Sequence, residues 1–428
     1  MDLIFRSEAG RRSLRYLGSW LLLALVAGIL GSGLTMAFTM GLSAVKQATS
    51  TYPLPLIAVL GAILAAAISR LAPESRGEGI PSYIRGIREH GGRLPFRAGV
   101  VKVFSSFATL GTWGSGGVVG PLGRVSAGFT SSLVSTIPLD DDEQRALVRN
   151  AAICGLASVM ASVTGAPIGS GVFAVEIIQK RNMRYSDLFP AVLAASVASF
   201  LARSFGFRPL YELYTPSIQV QWELLFPLLV VGLLAALASH LFERFYLWLS
   251  KRMGRSKQKG VEIRFASATF VAVLLLWLVN PQMMGNGVGL VHSLAMDPAM
   301  TLGRFGPAFP IAFAALVLIV VQALAVALTV GSGQSAGFFT PLATMGMLLG
   351  TAVGALFGFT GNLTDLHLLQ GAGMAGVLAG SLNVPLAAAI LVSEVFGSHL
   401  GFPAALAAIF SFQVNRHHTL YDAALSED

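Results

Sequence analysis

Glycine and proline cluster at several points where a helix could begin within an apolar region. Gly337-Phe338-Phe339-Thr340-Pro341 has this composition, and the segments at 77–81 and 114–123 resemble it. The first N–H groups of a helix lack partners within the helix, and the helix dipole adds about half a positive charge there. A helix start can therefore hold a small anion without a full cation. These segments predict an anion-binding site built from helix N-termini.

The composition places these segments in a membrane. Of the 428 residues, 54% are hydrophobic and 12% are charged, against a charged share of about 25% in soluble domains. This composition excludes a soluble or a disordered chain, and the presence of one cysteine excludes a disulfide scaffold. The sequence predicts an all-α polytopic membrane protein. Apolar stretches that cross, or nearly cross, about 30 Å of hydrocarbon lie at 20–40, 54–71, 98–112, 188–201, 224–241, 266–279, 309–330 and 342–359.

Two further apolar stretches are interrupted. The stretch at 150–178 contains Gly165-Ala166-Pro167, and the stretch at 370–395 contains Asn383-Val384-Pro385. Helix breaks at membrane depth are tolerated only where the freed backbone groups face protein or a wet cavity. The sequence therefore predicts discontinuous helices of the kind found in transporters and channels.

Landmark residues recur in the second half of the chain. The Gly-Ser-Gly at 114–116 recurs 217 positions later at 331–333, and Gly120 recurs as Gly337 at the same distance. Three further landmarks recur 218 positions later: Gly155, Pro167 and Glu176 match Gly373, Pro385 and Glu394. This register predicts two related halves, at 17–215 and 216–416, between a basic segment at 1–16 and a tail at 417–428.

The basic residues give the two halves opposite orientations. The cluster Arg6, Arg11, Arg12 and Arg15 precedes the first long span, whereas the basic stretch at 244–264 follows the corresponding span. Because basic loops lie on the cytoplasmic side, we expect an inverted repeat in a cell membrane, of the bacterial inner-membrane type, with a cytoplasmic N-terminus. Such repeats place a substrate site near the midplane. The formal charge of +8 is assigned to these loops and not to nucleic-acid binding.

Together these motifs resemble those of the CLC chloride channels and chloride/proton antiporters over nearly the whole chain. The family's GSGIP is similar to GEGIP at 77–81, its GxFxP to 337–341, its second GGG element to 285–287 and its N-A-P…E segment to 165–176. The resemblance implies a CLC-like fold with many tilted and broken helices, and a homodimer with one pore in each subunit. It implies a central chloride or other small monovalent anion beside Glu78, Gly79, Ile80, Gly337, Phe338, Phe339 and the pore tyrosine, Tyr421.

Three departures from the family pattern bear on mechanism. The family's gating glutamate aligns with Leu122 and its inner proton glutamate with Ile177, so the resemblance implies anion transport without the usual proton antiport. Arg124 replaces a proline next to this predicted gate. We expect Arg124 either to attract anions at the pore entrance or to pair with Glu78 or Glu176.

Glu78 replaces the family's central serine, and its carboxyl group has several possible roles. An ionised carboxylate near the midplane is costly to desolvate and repels chloride. A protonated carboxyl group donates a hydrogen bond as serine does, and burial favours that neutral form. Alternatively, the carboxylate itself plugs the pore at the helix N-termini, or it turns outward to Arg76, Arg85 or Arg124.

The sequence leaves other functions open. A cation or proton-coupled transporter on the same scaffold would use Glu78, and a non-transporting sensor or assembly protein is a further alternative. Glu176 and Glu394 occupy matching positions, which favours helix capping or subunit packing. The histidines at 417–418 lack further ligands at metal spacing, and no nucleophile, base and acid are arranged for catalysis. We expect no cofactor, no metal and no enzymatic activity, and no cytoplasmic regulatory domain after Tyr421.

Overall fold

A computed structural model describes residues 8–138, 140–179, 183–210, 221–254, 260–297, 301–302 and 310–425. Within these ranges the fold is helical, and its one β-type pairing is an isolated bridge between Gly117 and Gly337. The α-helices are α1 (Glu8–Thr49), α2 (Leu54–Ser69), α3 (Ile80–Glu89), α4 (Phe96–Gly111), α5 (Val119–Val134), α6 (Asp141–Thr164), α7 (Pro167–Glu176), α8 (Tyr185–Ser204), α9 (Leu225–Gly254), α10 (Val261–Val279), α11 (Val288–Met296), α12 (Ile311–Gly331), α13 (Phe339–Leu356), α14 (Leu363–Leu382), α15 (Pro385–Phe396), α16 (Gly401–Asn415) and α17 (Asp422–Leu425).

Seven of the described helices are long and apolar enough to cross a bilayer. These spans are Gly18–Thr49, Asp142–Thr164, Tyr185–Ser204, Trp222–Met253, Val261–Val279, Ile311–Gly331 and Phe339–Leu356. The predicted stretches at 54–71 and 98–112 form α2 and α4, each of 16 residues. The hydropathy pattern thus predicted the helices correctly, and the main differences are that α1 and α9 continue to Thr49 and Gly254.

The two predicted helix breaks are confirmed. Gly165 and Asn383 end α6 and α14 in the left-handed conformation, with φ of 74° and 62°. In each case their N–H group donates to the carbonyl four residues earlier. Pro167 and Pro385 then begin the next helices, where the missing proline N–H removes no helical hydrogen bond. The breaks lie 218 positions apart, in the predicted register.

Glu176 and Glu394 cap each other's helices. Glu176, at the end of α7, accepts the N–H groups of Leu386 and Ala387 at 3.1 and 2.7 Å. Glu394, on α15, accepts two N–H groups at the start of α7 at 3.0 and 2.7 Å. A carboxylate at a helix N-terminus is stabilised by the unpartnered amides and the dipole. Helix capping, one of the two predicted alternatives, therefore accounts for the matching positions.

The repeat register around the first Gly-Ser-Gly differs from the prediction. Helix α4 ends at Gly111 and α12 at Gly331, and the bridge pairs Gly117 with Gly337, so both pairs lie 220 positions apart. The predicted register of 217, which matched Gly120 with Gly337, is wrong. The reason is that the first Gly-Ser-Gly follows the end of α4, whereas the second begins at the last residue of α12.

Candidate functional site

Three helices begin at one point of contact between the two halves. The N–H groups of Gly117 and Gly337 each donate to the other residue's carbonyl at 2.7 Å, just before α5 and α13. The N–H of Gly77 donates to the Gly333 carbonyl at 2.8 Å, which brings the turn before α3 to the same place. The N-termini of α3, α5 and α13 therefore lie close together.

The Glu78 carboxylate lies in front of these helix starts. Its side chain is buried, with 8% of the residue exposed, and Oε2 accepts the N–H of Ile80 at 2.5 Å. The backbone of Gly79 also interacts with the carboxylate. A Cβ added at Gly120 would overlap Oε1 of Glu78 and would lie 3.4 Å from the Cα of Gly337. The carboxylate therefore fills the space between α3, α5 and α13.

The salt-bridge alternative for Glu78 has no counterpart in the described part of the chain. The Nε of Arg76 donates to the hydroxyl of Ser69 at 3.1 Å. Nη1 of Arg124 donates to the Pro95 carbonyl at 3.2 Å. Neither arginine forms an ion pair with the Glu78 carboxylate, which points inward to the helix N-termini instead.

Two tyrosines from later parts of the chain face Glu78. Tyr421 in the C-terminal tail, buried to 2% exposure, lies close enough to the Glu78 carboxyl group for the two side chains to interact. Tyr246 on α9 interacts electrostatically with Glu78, and its ring packs edge-on against Phe338 with 4.8 Å between centroids. The resemblance indicated Tyr421. It gave no signal for Tyr246, which lies in an otherwise apolar span.

Phe338 and Phe339 turn their rings into the core. They are 1% and 4% exposed. Phe339 packs edge-on against Phe173 at 5.8 Å, and Phe338 contacts Phe242 at 5.8 Å in the same way. Because Phe338 is the N-cap of α13, the backbone of this pair heads the helix while the rings fix its position.

A buried lysine lies behind the Glu78 turn. Lys102 on α4 is 1% exposed, and its Nζ donates to the carbonyls of Ser75 and Gly77 at 2.8 and 2.7 Å. Its charge also interacts with that of Glu78. The sequence reasoning missed Lys102. A lone lysine within the apolar segment at 98–112 was the available signal, because intramembrane ionisable residues are costly and mark functional sites.

The residues predicted for the gate lie inside the protein. Leu122 has no exposed surface and belongs to the main core. Arg124 is 2% exposed, and a Cβ added at Gly99 would lie 3.0 Å from its Nη1. The guanidinium therefore packs against the start of α4, and among the described residues it forms an ion pair with neither Glu78 nor Glu176.

A cavity of about 120 Å³ lies beyond the Gly117 and Gly337 bridge, near the C-terminal end of α1. Its polar lining comes from Thr39, Ser43, Lys46 and Asn286. Val118, the N-cap residue of α5, also lines it. The cavity therefore reaches the same helix starts from a side different from that of Lys102.

One group of side chains has the geometry of a cation site. Ligand atoms of Glu243, His418 and Asp422 lie within 4.8 Å of one another. The side chains of His418 and Asp422 are 57% and 30% exposed, and they approach each other at 4.0 Å. Solvent and the contact between His418 and Asp422 can satisfy the polar atoms of these side chains, so we assign no metal to the cluster. Cys154 is fully buried, as a small hydrophobic residue.

Comparisons with known proteins agree with this architecture. A family model described as voltage gated chloride channel matches residues 60–416. A chloride/fluoride channel protein of Pseudomonas syringae pv. tomato is 25% identical, over 98% of this chain and 89% of that protein. An H(+)/Cl(-) exchange transporter ClcA of Vibrio parahaemolyticus is 27% identical, over 82% of this chain and 74% of that protein.

Solved structures show the same fold. A CLC-type fluoride/proton antiporter matches with a TM-score of 0.78 at 20% identity, covering 96% of this chain and 98% of that one. A slow cyanobacterial Cl-/H+ antiporter matches with a TM-score of 0.77 at 19% identity, covering 96% and 94%. Since the family model spans most of the sequence, the chain belongs to the voltage-gated chloride channel family, the CLC channels and antiporters.

Proposed function

We propose that the protein moves a small monovalent anion across the membrane, and that Glu78 is a tethered anion which occupies the transport site. The observation that carries this proposal is the position of the Glu78 carboxylate among the N-termini of α3, α5 and α13, within hydrogen-bonding distance of Ile80. Chloride and fluoride are the candidate substrates, because relatives are named for their transport.

The charges around the site explain how the carboxylate would block the pathway. Two unit charges 4 Å apart interact by about 4 kcal/mol at an effective dielectric constant of about 20. That repulsion corresponds to nearly three powers of ten in anion affinity. Lys102 compensates the charge of Glu78, which keeps the carboxylate in place. A free anion enters when Glu78 is protonated or swings away from Ile80.

We propose that transport proceeds without the usual proton antiport. Leu122 and Ile177 stand where the family's two proton glutamates align, and neither side chain can bind a proton. Both are buried, Leu122 in the core and Ile177 at the end of α7. Glu78 is titratable, however, so exchange of protons through this one carboxylate is the second candidate function.

Flux measurements in liposomes separate the two candidates. The purified protein is reconstituted with a chloride gradient, and chloride efflux and proton uptake are recorded together. We expect chloride flux without uphill proton movement. Sustained proton uptake that Glu78→Gln abolishes would establish the second candidate instead. Glu143→Gln, an exposed carboxylate on α6, is the matched control and should leave both rates unchanged.

The pH dependence of the flux follows from the same carboxylate. Protonation removes the charge of Glu78, so chloride flux should rise as the pH falls. Lys102, Tyr246 and Tyr421 face Glu78, and only the carboxylate is required to change its charge. In Glu78→Gln the flux should be at least tenfold higher and nearly independent of pH. A variant that keeps the wild-type flux and pH profile would contradict the plug.

The surrounding charges disfavour a cation as substrate. Lys102 and three helix N-termini all present positive potential to the site, so only Glu78 itself would attract a cation. Reversal potentials under opposed chloride and potassium gradients test this point. We expect the potential to follow the chloride gradient, and a potential that follows potassium would support the cation carrier predicted as an alternative.

We further propose a homodimer with a cytoplasmic N-terminus. The resemblance to the family supports the dimer, and the basic clusters at the two ends of the antiparallel spans support the orientation. Light scattering of the detergent complex gives the subunit number. Cys154 is buried and is the only cysteine in the sequence, so a cysteine introduced at Lys251 can be labelled selectively to report the side of the membrane on which α9 ends.

A further inference from the structure

The second half of the chain contains a counterpart of the Glu78 turn. Gly77 precedes Glu78 with φ of 70°, and Gly285 precedes Asn286 with φ of 72°. Oδ1 of Asn286 faces the N–H of Val288, the first residue of α11, at 3.4 Å. Glu78 makes the equivalent contact with the first residue of α3. The contact between the turn side chain and the helix start is therefore repeated, with a neutral amide in place of the carboxylate.

Gln322 occupies the position that corresponds to Lys102. Lys102 lies nine residues before the end of α4, and Gln322 lies nine residues before the end of α12. The Gln322 side chain has no exposed surface, and neither its Nε2 nor its Oε1 has a hydrogen-bond partner among the described residues. Leaving such a group unsatisfied costs about 1–3 kcal/mol, so the amide calls for a ligand.

The Gln322 amide points to the start of α11. A Cβ added at Gly287 would lie 3.7 Å from Nε2 of Gln322 and 3.3 Å from Oγ1 of Thr344. The Thr344 hydroxyl is already engaged, because it donates to the Thr340 carbonyl at 3.0 Å. The unpartnered amide of Gln322 on α12 therefore faces the N-terminus of a nine-residue helix.

The cavity near the end of α1 reaches the turn before α11 at Asn286. Asn286 lines it together with Thr39, Ser43 and Lys46. A Cβ added at Gly285 would lie 2.7 Å from Nζ of Lys46, so the ammonium group covers the turn before α11. Nζ of Lys46 also lies over the ring of Trp113, 5.3 Å from the ring centroid. A positive charge thus stands at the opening of the site.

We propose that the start of α11 is a second anion-binding site, formed by the Gln322 amide and the N-terminus of α11, with Lys46 at its mouth. Its ligand is a small monovalent anion of the size of chloride or bromide. A cation is disfavoured because the helix N-terminus and Lys46 repel it. Within the described ranges, no carboxylate contacts the start of α11, in contrast to the Glu78 site. Binding at this site requires no transport and is independent of the proposed flux.

Bromide anomalous scattering locates the site directly. Crystals of the full chain soaked in bromide should show a peak beside Val288 and Gln322. In Gln322→Leu, which keeps the side-chain volume, bromide affinity at this peak should fall at least tenfold. Lys46→Met should lower it several-fold. Lys251→Met, which removes an exposed lysine on α9, is the control and should leave the peak unchanged.

Two results would overturn the proposal. One is the absence of a bromide peak at the start of α11 in the wild-type protein. The other is a peak that Gln322→Leu and Lys46→Met leave at full occupancy. Lys46 lines the cavity, so the bromide peak in Lys46→Met tests the proposal even where Gln322→Leu fails to fold. Chloride flux without the peak would refute this site alone, and the peak without flux would refute only the proposed transport.

Discussion

The turns at 77–79 and 285–287 both begin with a left-handed glycine and both aim a side chain at a helix start, but the groups around them differ in charge. In the first, Glu78 faces the helix start, and Lys102 donates hydrogen bonds to two carbonyl groups of the turn. In the second, Asn286 faces the helix start and Gln322 stands where the lysine would be. The inverted repeat therefore supplies two similar sites, here called the cradles, at 77–80 and 285–288. The first cradle contains a carboxyl group of the protein, and the second contains a neutral amide.

This difference separates two contributions to the free energy of unfolding, one from the backbone of the cradle and one from its ionisable side chains. Both cradles have helix amides without a partner inside the helix, and a half-charge from the dipole. Only the first adds a buried carboxyl group and a buried amine that interact electrostatically. A buried pair of this kind is costly to break, whereas a buried neutral amide is cheap to replace.

The largest expected effect comes from removing the buried cation. Lys102→Met leaves Glu78 without its compensating charge and frees two carbonyls, so we expect a loss of about 3 kcal/mol in the free energy of unfolding. Gln322→Met, the corresponding change in the other cradle, removes an unpartnered amide whose burial costs about 1–3 kcal/mol, so it should cause no loss of stability. Denaturant titrations in detergent measure both.

A double variant checks the cause of this loss. Adding Glu78→Gln to Lys102→Met removes the uncompensated carboxylate and should restore part of the lost stability. Equal losses in Lys102→Met and Gln322→Met would show that the two cradles do not differ in charge compensation. A double variant as unstable as the sum of the single ones would show that the two charges act independently.

A smaller effect is expected from the close contact at Gly120. Its Cβ position is occupied by the Glu78 carboxylate, so Gly120→Ala should cost about 2 kcal/mol through overpacking. The structurally corresponding residue is Thr340, and Thr340→Ala should cost less than about 1 kcal/mol. Thermal unfolding compares them. If the cost of Gly120→Ala persists in a Glu78→Ser background, the carboxylate is not the obstacle.

The smallest effects are expected at the reciprocal helix caps, where the two halves are alike. Glu176→Gln and Glu394→Gln each replace a carboxylate that accepts two amide N–H groups. Each should cost about 1 kcal/mol in the free energy of unfolding, by the same amount within error. Chloride flux should be retained in both. Loss of flux in Glu176→Gln alone would give this residue a transport role that capping does not explain.

The sequence was informative where local rules act. Glycine, asparagine and proline mark the breaks after α6 and α14 because their backbone preferences end or begin a helix independently of tertiary context. The apolar stretches predicted the helices for the same reason. The position of Glu78 within GEGIP also identified it as a candidate site residue. In the structure its carboxylate lies at the helix starts.

Features that depend on packing between distant segments could not be predicted. Lys102 and Gln322 each lie in an apolar helix, and only the folded chain brings them to the turns they face. Arg124 was predicted either to attract anions at the pore entrance or to pair with Glu78 or Glu176, whereas its side chain lies close to Gly99 and donates to the Pro95 carbonyl. The predicted register of 217 was wrong because it aligned identical residue types, whereas the corresponding helix ends lie 220 positions apart.

The paired hydrogen bonds of Gly117 and Gly337 limit how the transport pathway can open. Each residue donates to and accepts from the other, so parting the halves at this seam would break both bonds at once, away from bulk water. Rotation of the Glu78 side chain breaks its contact with Ile80 and leaves this seam intact. Under the proposed mechanism, conduction is therefore governed by the swing of one carboxylate, while the two repeats stay joined.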